Sequence, residues 1–190
     1  IKTFNELGIK TLVTPCPHCY YAFKSYYPEE GGVNCEVLHF TQYLERLVSE
    51  GRVKLKELPR QIYTYHDPCN LGRYAGVYNA PRKILKAISG IELREMERSY
   101  DQAWCCGAGG GVLAAYPDLA TWTAEQRVKE AERTGASALI TACPWCKYGL
   151  ESGIEASGST LEIYDVAEVV LKSMKATVLK VKSTVRAVEE

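Results

Sequence analysis

Residues 138–151 read ALITACPWCKYGLE, and residues 11–24 read TLVTPCPHCYYAFK. Each opens on a short apolar run of strand-forming composition, turns at a proline inside C-P-aromatic-C, and passes into a tyrosine-bearing helical pattern. The likeness continues downstream, where EVLHFTQYLERLV (36–48) aligns with EIYDVAEVVLKSM (162–174). The offset is about 127 residues and slips by one between the two blocks. Separate blocks that agree in order mark a duplicated unit.

Working outward, strands are expected at Thr11–Thr14, Glu36–His39, Gln61–Tyr65, Ala138–Thr141 and Leu161–Tyr164. Helices are expected at about 18–26, 40–50, 79–89, 118–134, 144–152 and 165–174. In the second of these, Phe40, Tyr43, Leu44 and Leu47 share one face. EEGG at 29–32, and ESG and ASG within 151–158, read as loops. Strands alternating with helices predict an α/β fold of two pseudo-repeated units, with mainly parallel sheets flanked by helices. The second unit has a long segment before its C-P-W-C, starting near Gln61, whereas the first has almost none. The first unit is therefore expected to be incomplete, and the chain is read as the C-terminal part of a longer polypeptide. The expected division is 1–60 for the remnant, 61–175 for the complete unit and 176–190 for a C-terminal helix or tail.

The composition is that of an ordinary globular protein: 190 residues, 46% apolar, 24% charged, with zero formal net charge. Such a balance argues against a nucleic-acid partner. No apolar stretch approaches the ~20 residues of a membrane span, and no secretory signal is visible. A cytoplasmic protein is expected, membrane-associated at most through a partner. Its eight cysteines are then expected to be reduced, and clustered thiols point to metal binding or redox chemistry before a disulfide framework.

The second unit carries YHDPCNLGRY (65–74), AWCCGAGGG (103–111) and TACPWCKYG (141–149). Its cysteines are Cys69, Cys105, Cys106, Cys143 and Cys146, spaced C-x35-C-C-x36-C-x-x-C. Segments that follow parallel strands gather at one sheet edge, so these thiols are expected to form one site. Helix N-termini after Cys69 and Cys143 are expected to stabilise thiolates there. Gly107, Gly109, Gly110 and Gly111 allow close backbone approach. Zinc takes four ligands and an ordinary cubane uses four cysteines. Five thiols with a vicinal pair point instead to an iron–sulfur centre of unusual shape.

The residues 11–174 resemble the CCG-domain family, named for the triplet seen here as Cys105-Cys106-Gly107. The likeness is to the B and D components of heterodisulfide reductases and their relatives, and the HDPC-x-LGR and CCGAGGG contexts match as well. The resemblance implies a noncubane [4Fe-4S] cluster held by Cys69, Cys105, Cys106, Cys143 and Cys146. It implies single-electron transfer, extending to a thiol/disulfide substrate, within a complex whose redox partner is a flavoprotein, ferredoxin-type or membrane cytochrome subunit. Cys16 and Cys19 would be partial ligands of an incomplete first site, free to take zinc.

Two other readings stay open at this point: a thioredoxin-like dithiol exchange protein, and a structural zinc module. His66 is a turn histidine, a hydrogen-bond donor to the site or a catalytic proton donor. Trp104 and Trp145 are expected to shield the centre from water. Arg73 is read as an exposed ion pair or an anion contact, and Cys35 as a buried strand-edge residue.

Overall fold

The structure, a computed structural model, describes residues 1–174; the helix or tail expected at 176–190 lies outside them. In chain order the elements are α1 (Lys2–Glu6), β1 (Thr11–Thr14), α2 (Pro17–Ser25), β2 (Glu36–His39), α3 (Phe40–Ser49), β3 (Gln61–His66), α4 (Asn79–Lys86) and β4 (Ile91–Arg94). There follow α5 (Val112–Ala115), α6 (Pro117–Glu132), β5 (Ala138–Thr141), α7 (Pro144–Ser157), β6 (Glu162–Asp165) and α8 (Val166–Ser173).

All strand pairings within the two sheets are parallel, as expected. β1 pairs with β2, and a second sheet runs β4-β3-β5-β6. β5, Ala-Leu-Ile-Thr, is buried at every position, which is why it reads as a continuous apolar run without alternation. In the second sheet the chain leaves β3 toward β4 on one side and leaves β5 toward β6 on the other. The carboxyl ends of β3 and β5 therefore flank a topological switch point, the place where ligands bind in open α/β sheets.

The two repeated stretches fold alike. Cys16 caps α2 and Cys143 caps α7, each with proline as the first helical residue and each accepting the N–H of the second cysteine at 3.4 Å. α3 and α8 both start with a capping box, His39 with Gln42 and Asp165 with Glu168. One apolar cluster spans both halves, joining Tyr20, Val37 and Leu44 to Tyr65, Ile84 and Leu85.

Several expectations need correction. β4, α1 and α5 are short elements that the periodicity did not reveal. ESG at 151–153 is helical, because α7 continues to Ser157 and ends at Gly158 in the left-handed region (φ 64). Gly153 is there for packing: a Cβ on it would lie 2.7 Å from the Ala124 Cβ and 2.8 Å from the Ala124 carbonyl carbon. No helix follows Cys69 directly. Residues after it turn through Leu71 N–H and Gly72 N–H bonded to the Pro68 carbonyl, and α4 begins only at Asn79.

Candidate metal centre

The five cysteines of the second unit reach the switch point from three directions. Cys69 follows β3, Cys143 and Cys146 open α7 after β5, and Cys105 and Cys106 come from the long crossover between β4 and α5. All five line one cavity of about 650 Å³. Gly109, Gly110 and Trp145 complete that side of the wall, and Cys16, His18, Tyr21, Tyr26 and Tyr74 lie on it too. Cys19 is exposed and is not among the lining residues, and Cys35 is half-buried away from the cavity. All eight cysteines are free of disulfides.

The thiols influence one another's acidity in the order Cys69, Cys105, Cys106, Cys146, Cys143. Cys106 Sγ and Cys146 Sγ are 3.4 Å apart. Thiols this close cannot all ionise by themselves, and their acidities are driven apart. Hydrogen bonds from Cys106 and Cys69 pull Cys105 down to about 2, with the Gly107 N–H helping. The same contact pushes Cys106 up to about 12. Cys69 is raised by its contact with Cys105 and by burial, and Cys146 by its contacts with Cys106 and Cys143. Cys143 is lowered, chiefly by Cys146. A cationic centre relieves this crowding, since metal binding deprotonates coordinating thiols.

The vicinal pair is bent into place by Gly107, whose φ is 83 and whose missing Cβ would lie 2.5 Å from the Ala120 carbonyl oxygen. This lets the turn sit against α6. Trp145 donates Nε1–H to the Ala108 carbonyl at 2.8 Å, holding the glycine loop from the other side. Trp104 is not part of the lining: it is 43% exposed and stacks under the Arg98 guanidinium at 3.6 Å.

Three arginines hold the cysteine loops together, and the sequence singled out only the first of them. Arg73 donates to the Asp101 and Ala103 carbonyls, tying the Cys69 turn to the approach of Cys105. Arg82, 3% exposed, forms a bidentate pair with Asp67 and a second with Glu95. Asp67 also accepts the Tyr100 N–H at 2.9 Å. Arg127, fully buried, pairs with Glu130 and donates Nε–H to His66 Nδ1 at 3.1 Å. Burial, with the Arg127 charge adding to it, holds His66 down to about 3, so its ring is neutral. A nitrogen of that ring lies within 4.8 Å of Cys106 Sγ and Cys146 Sγ. His66 Nε2 is buried and has no hydrogen-bond partner among the described residues.

The donor set fits an iron–sulfur group: sulfur ligands in excess of what zinc uses, room for a polynuclear centre, and, on the imidazole ring that reaches the sulfurs, a buried nitrogen with no partner among the described residues.

Fold and cavity together define a cysteine-rich α/β protein whose thiols gather at the switch point of a parallel sheet. The CCG cysteine-rich domain family matches residues 1–24 and 63–151, and the chain belongs to that family. It is 40% identical over 176 residues to the D component of the dihydromethanophenazine:CoB–CoM heterodisulfide reductase of Methanosarcina barkeri, covering 92% of this chain and 43% of that one. It is 37% identical over 182 residues to the probable iron–sulfur-binding oxidoreductase FadF of Bacillus subtilis (95% and 26%). It is 36% identical over 184 residues to the EtfAB:quinone oxidoreductase of Syntrophomonas wolfei (92% and 26%). The chain spans less than half the length of each of these relatives. Among the described residues no helix is long and apolar enough to cross a membrane.

Proposed function

We propose that this chain is an iron–sulfur redox subunit of a heterodisulfide-reductase-like complex, with Cys69, Cys105, Cys106, Cys143 and Cys146 holding a noncubane [4Fe-4S] cluster. The observation that carries this reading is the meeting of five cysteines from three separate segments around one cavity. The similarity to proteins named as iron–sulfur oxidoreductases and as part of a heterodisulfide reductase supports it. Such a centre supplies one-electron transfer when bound. The residues of the chain supply five sulfur ligands, of which Cys106, Cys143 and Cys146 are buried, and a glycine turn that brings the vicinal pair inward. Electrons come singly from a partner protein of the complex. Two of them with two protons convert one disulfide substrate into two thiols.

Residues 1–60 are the C-terminal half of one CCG unit and 61–175 a complete second unit, a division supported by the matched folding of the two C-P-x-C segments. Cys16 and Cys19 are the corresponding pair of the first site. A dithiol-exchange role would account for the C-x-x-C pairs alone and would leave Cys69, Cys105 and Cys106 unused.

The test is anaerobic iron and sulfide quantitation with EPR on the reconstituted chain and on Cys105→Ala and Cys106→Ala. About four irons per wild-type chain, with loss of iron or a changed spectrum in each variant, is the expected result. Unchanged iron content and spectrum in both variants removes the vicinal pair from the ligand set and overturns the assignment.

A further inference from the structure

His66 is the imidazole beside Cys106 and Cys146, and its two nitrogens have different neighbours. Arg127 Nε–H points at Nδ1 from 3.1 Å. A guanidinium has donors and no acceptor, so Nδ1 must present its lone pair. A neutral imidazole with a bare Nδ1 carries its proton on Nε2. Nε2 is the buried atom without a protein partner among the described residues, on a ring that reaches to within 4.8 Å of Cys106 Sγ and Cys146 Sγ. Arg127 cannot swing away to release Nδ1: it is fully buried, held by Glu130 Oε2 at 2.7 Å and by the Arg98 carbonyl at 2.9 Å.

This arrangement is the reverse of a metal-ligating histidine, which offers a lone pair to the metal and donates its other N–H to an acceptor. Here the other nitrogen already accepts. Ligation by Nε2 would require a ring stripped of both protons, an anion placed among thiolates.

We propose that His66 donates an Nε2–H hydrogen bond to a sulfur of the centre, that Arg127 fixes the tautomer in which it does so, and that His66 is a positioning residue that raises the reduction potential, not a ligand. The inference rests on the cluster reading above. A hydrogen bond to sulfur draws off charge that builds up on reduction, so it favours the reduced state.

The experiment uses the full chain, reconstituted anaerobically with iron and sulfide, as wild type, His66→Leu and His66→Gln. Iron is counted first, then the midpoint potential is measured by EPR-monitored titration, and exchangeable-proton and nitrogen hyperfine couplings are recorded in H2O and D2O. His66→Leu is expected to keep its iron, to lose an exchangeable-proton coupling and to lower the one-electron reduction equilibrium constant about tenfold. That is a negative shift of about 59 mV, the scale of one hydrogen bond. His66→Gln, which can still donate N–H, is expected to fall between the leucine variant and wild type. If His66→Leu binds less iron through poor folding, the glutamine variant carries the comparison. A wild-type potential in an iron-replete His66→Leu overturns the inference while leaving the cluster reading intact. Loss of iron in both variants, with a directly bonded nitrogen coupling in wild type, overturns it in favour of ligation. A wild-type chain that takes up no iron overturns the cluster reading and the donor together.

Discussion

Replacement of Asp67 by alanine tests whether the Cys69 loop is held by buried charge. The Asp67 side chain is 2% exposed and that of Arg82 is 3% exposed. Two charge-assisted bonds join them, at 2.7 and 2.8 Å, and Asp67 Oδ2 takes a third from the Tyr100 N–H at 2.9 Å. Breaking a buried pair from one side typically costs about 3–5 kcal/mol, because the remaining ion is left without its partner. Arg82 retains Glu95 and the Tyr78 carbonyl, which places the cost at the lower end. Tyr100 sits at φ 57, a left-handed conformation that costs a non-glycine residue about 1–2 kcal/mol. Freeing its N–H lets that strain relax and offsets part of the loss. The net expectation for Asp67→Ala is about 3 kcal/mol of destabilisation.

Urea denaturation followed by circular dichroism measures this as a fall in midpoint at unchanged slope. The cycle with Arg82→Met separates the pair from everything else Asp67 touches. The double variant should be less damaged than the two single losses added together, with a coupling of about 2 kcal/mol or more. A loss below about 1 kcal/mol for Asp67→Ala, or additive single effects, would show that the pair holds nothing that solvent does not replace.

Two further outcomes follow from packing and titration. Gly153→Ala should destabilise by about 2–3 kcal/mol, the upper part of the overpacking range, because the new Cβ meets α6 backbone atoms. Gly158→Ala, where nothing lies within 4 Å of the new Cβ and only the left-handed φ of 64 is at stake, should cost about 1 kcal/mol; equal effects in urea melts would contradict this. His39 is held down to about 4 by burial. As pH falls below about 6.5 the unfolded chain takes up a proton that the folded chain refuses, so stability present above 6.5 is lost toward pH 4. The slope this residue adds is at most about 1.4 kcal/mol per pH unit. His39→Asn keeps an N-cap acceptor and should remove one proton from that slope; an unchanged pH dependence would refute the assignment.

What was legible in the sequence had local causes. Cys143 followed by Pro144 announces a helix start, and Asp165 with Glu168 three residues on is a capping box. The alternation of strands and helices, and the gathering of cysteine segments at one sheet edge, follow from rules of the same kind. What stayed hidden depends on partners distant in the chain. Gly153 reads as a loop residue until Ala124 is seen against it. Arg73 reads as an exposed ion pair or an anion contact and Arg82 and Arg127 attract no reading at all, because nothing near them in sequence marks Ala103, Asp67 or His66 as their partners. β4 escaped because Ile91–Arg94 is a four-residue edge strand with no residue fully buried. The helix expected after Cys69 failed because the chain turns back on Pro68 there, which frees Arg73 to reach the Cys105 loop.

The cavity also has a wall that does not come from the complete unit. Cys16, His18, Tyr21 and Tyr26 belong to α2 and the turns on either side of it, and they face the same space as Cys69 and Cys105. That wall is not loosely appended. Tyr20, on α2, is 5% exposed and packs in the apolar cluster that contains Tyr65 and Leu71 from the β3 segment. Tyr21 meets Tyr74 at 5.6 Å between ring centroids. Separating the two halves would expose the shared cluster at about 25 cal/mol per Å² of apolar surface. The spacing between the first-unit wall and the sulfur series is therefore fixed by the core and not by the loops. Changes on the exposed face of α2 should alter what reaches the sulfurs without altering which sulfurs are there.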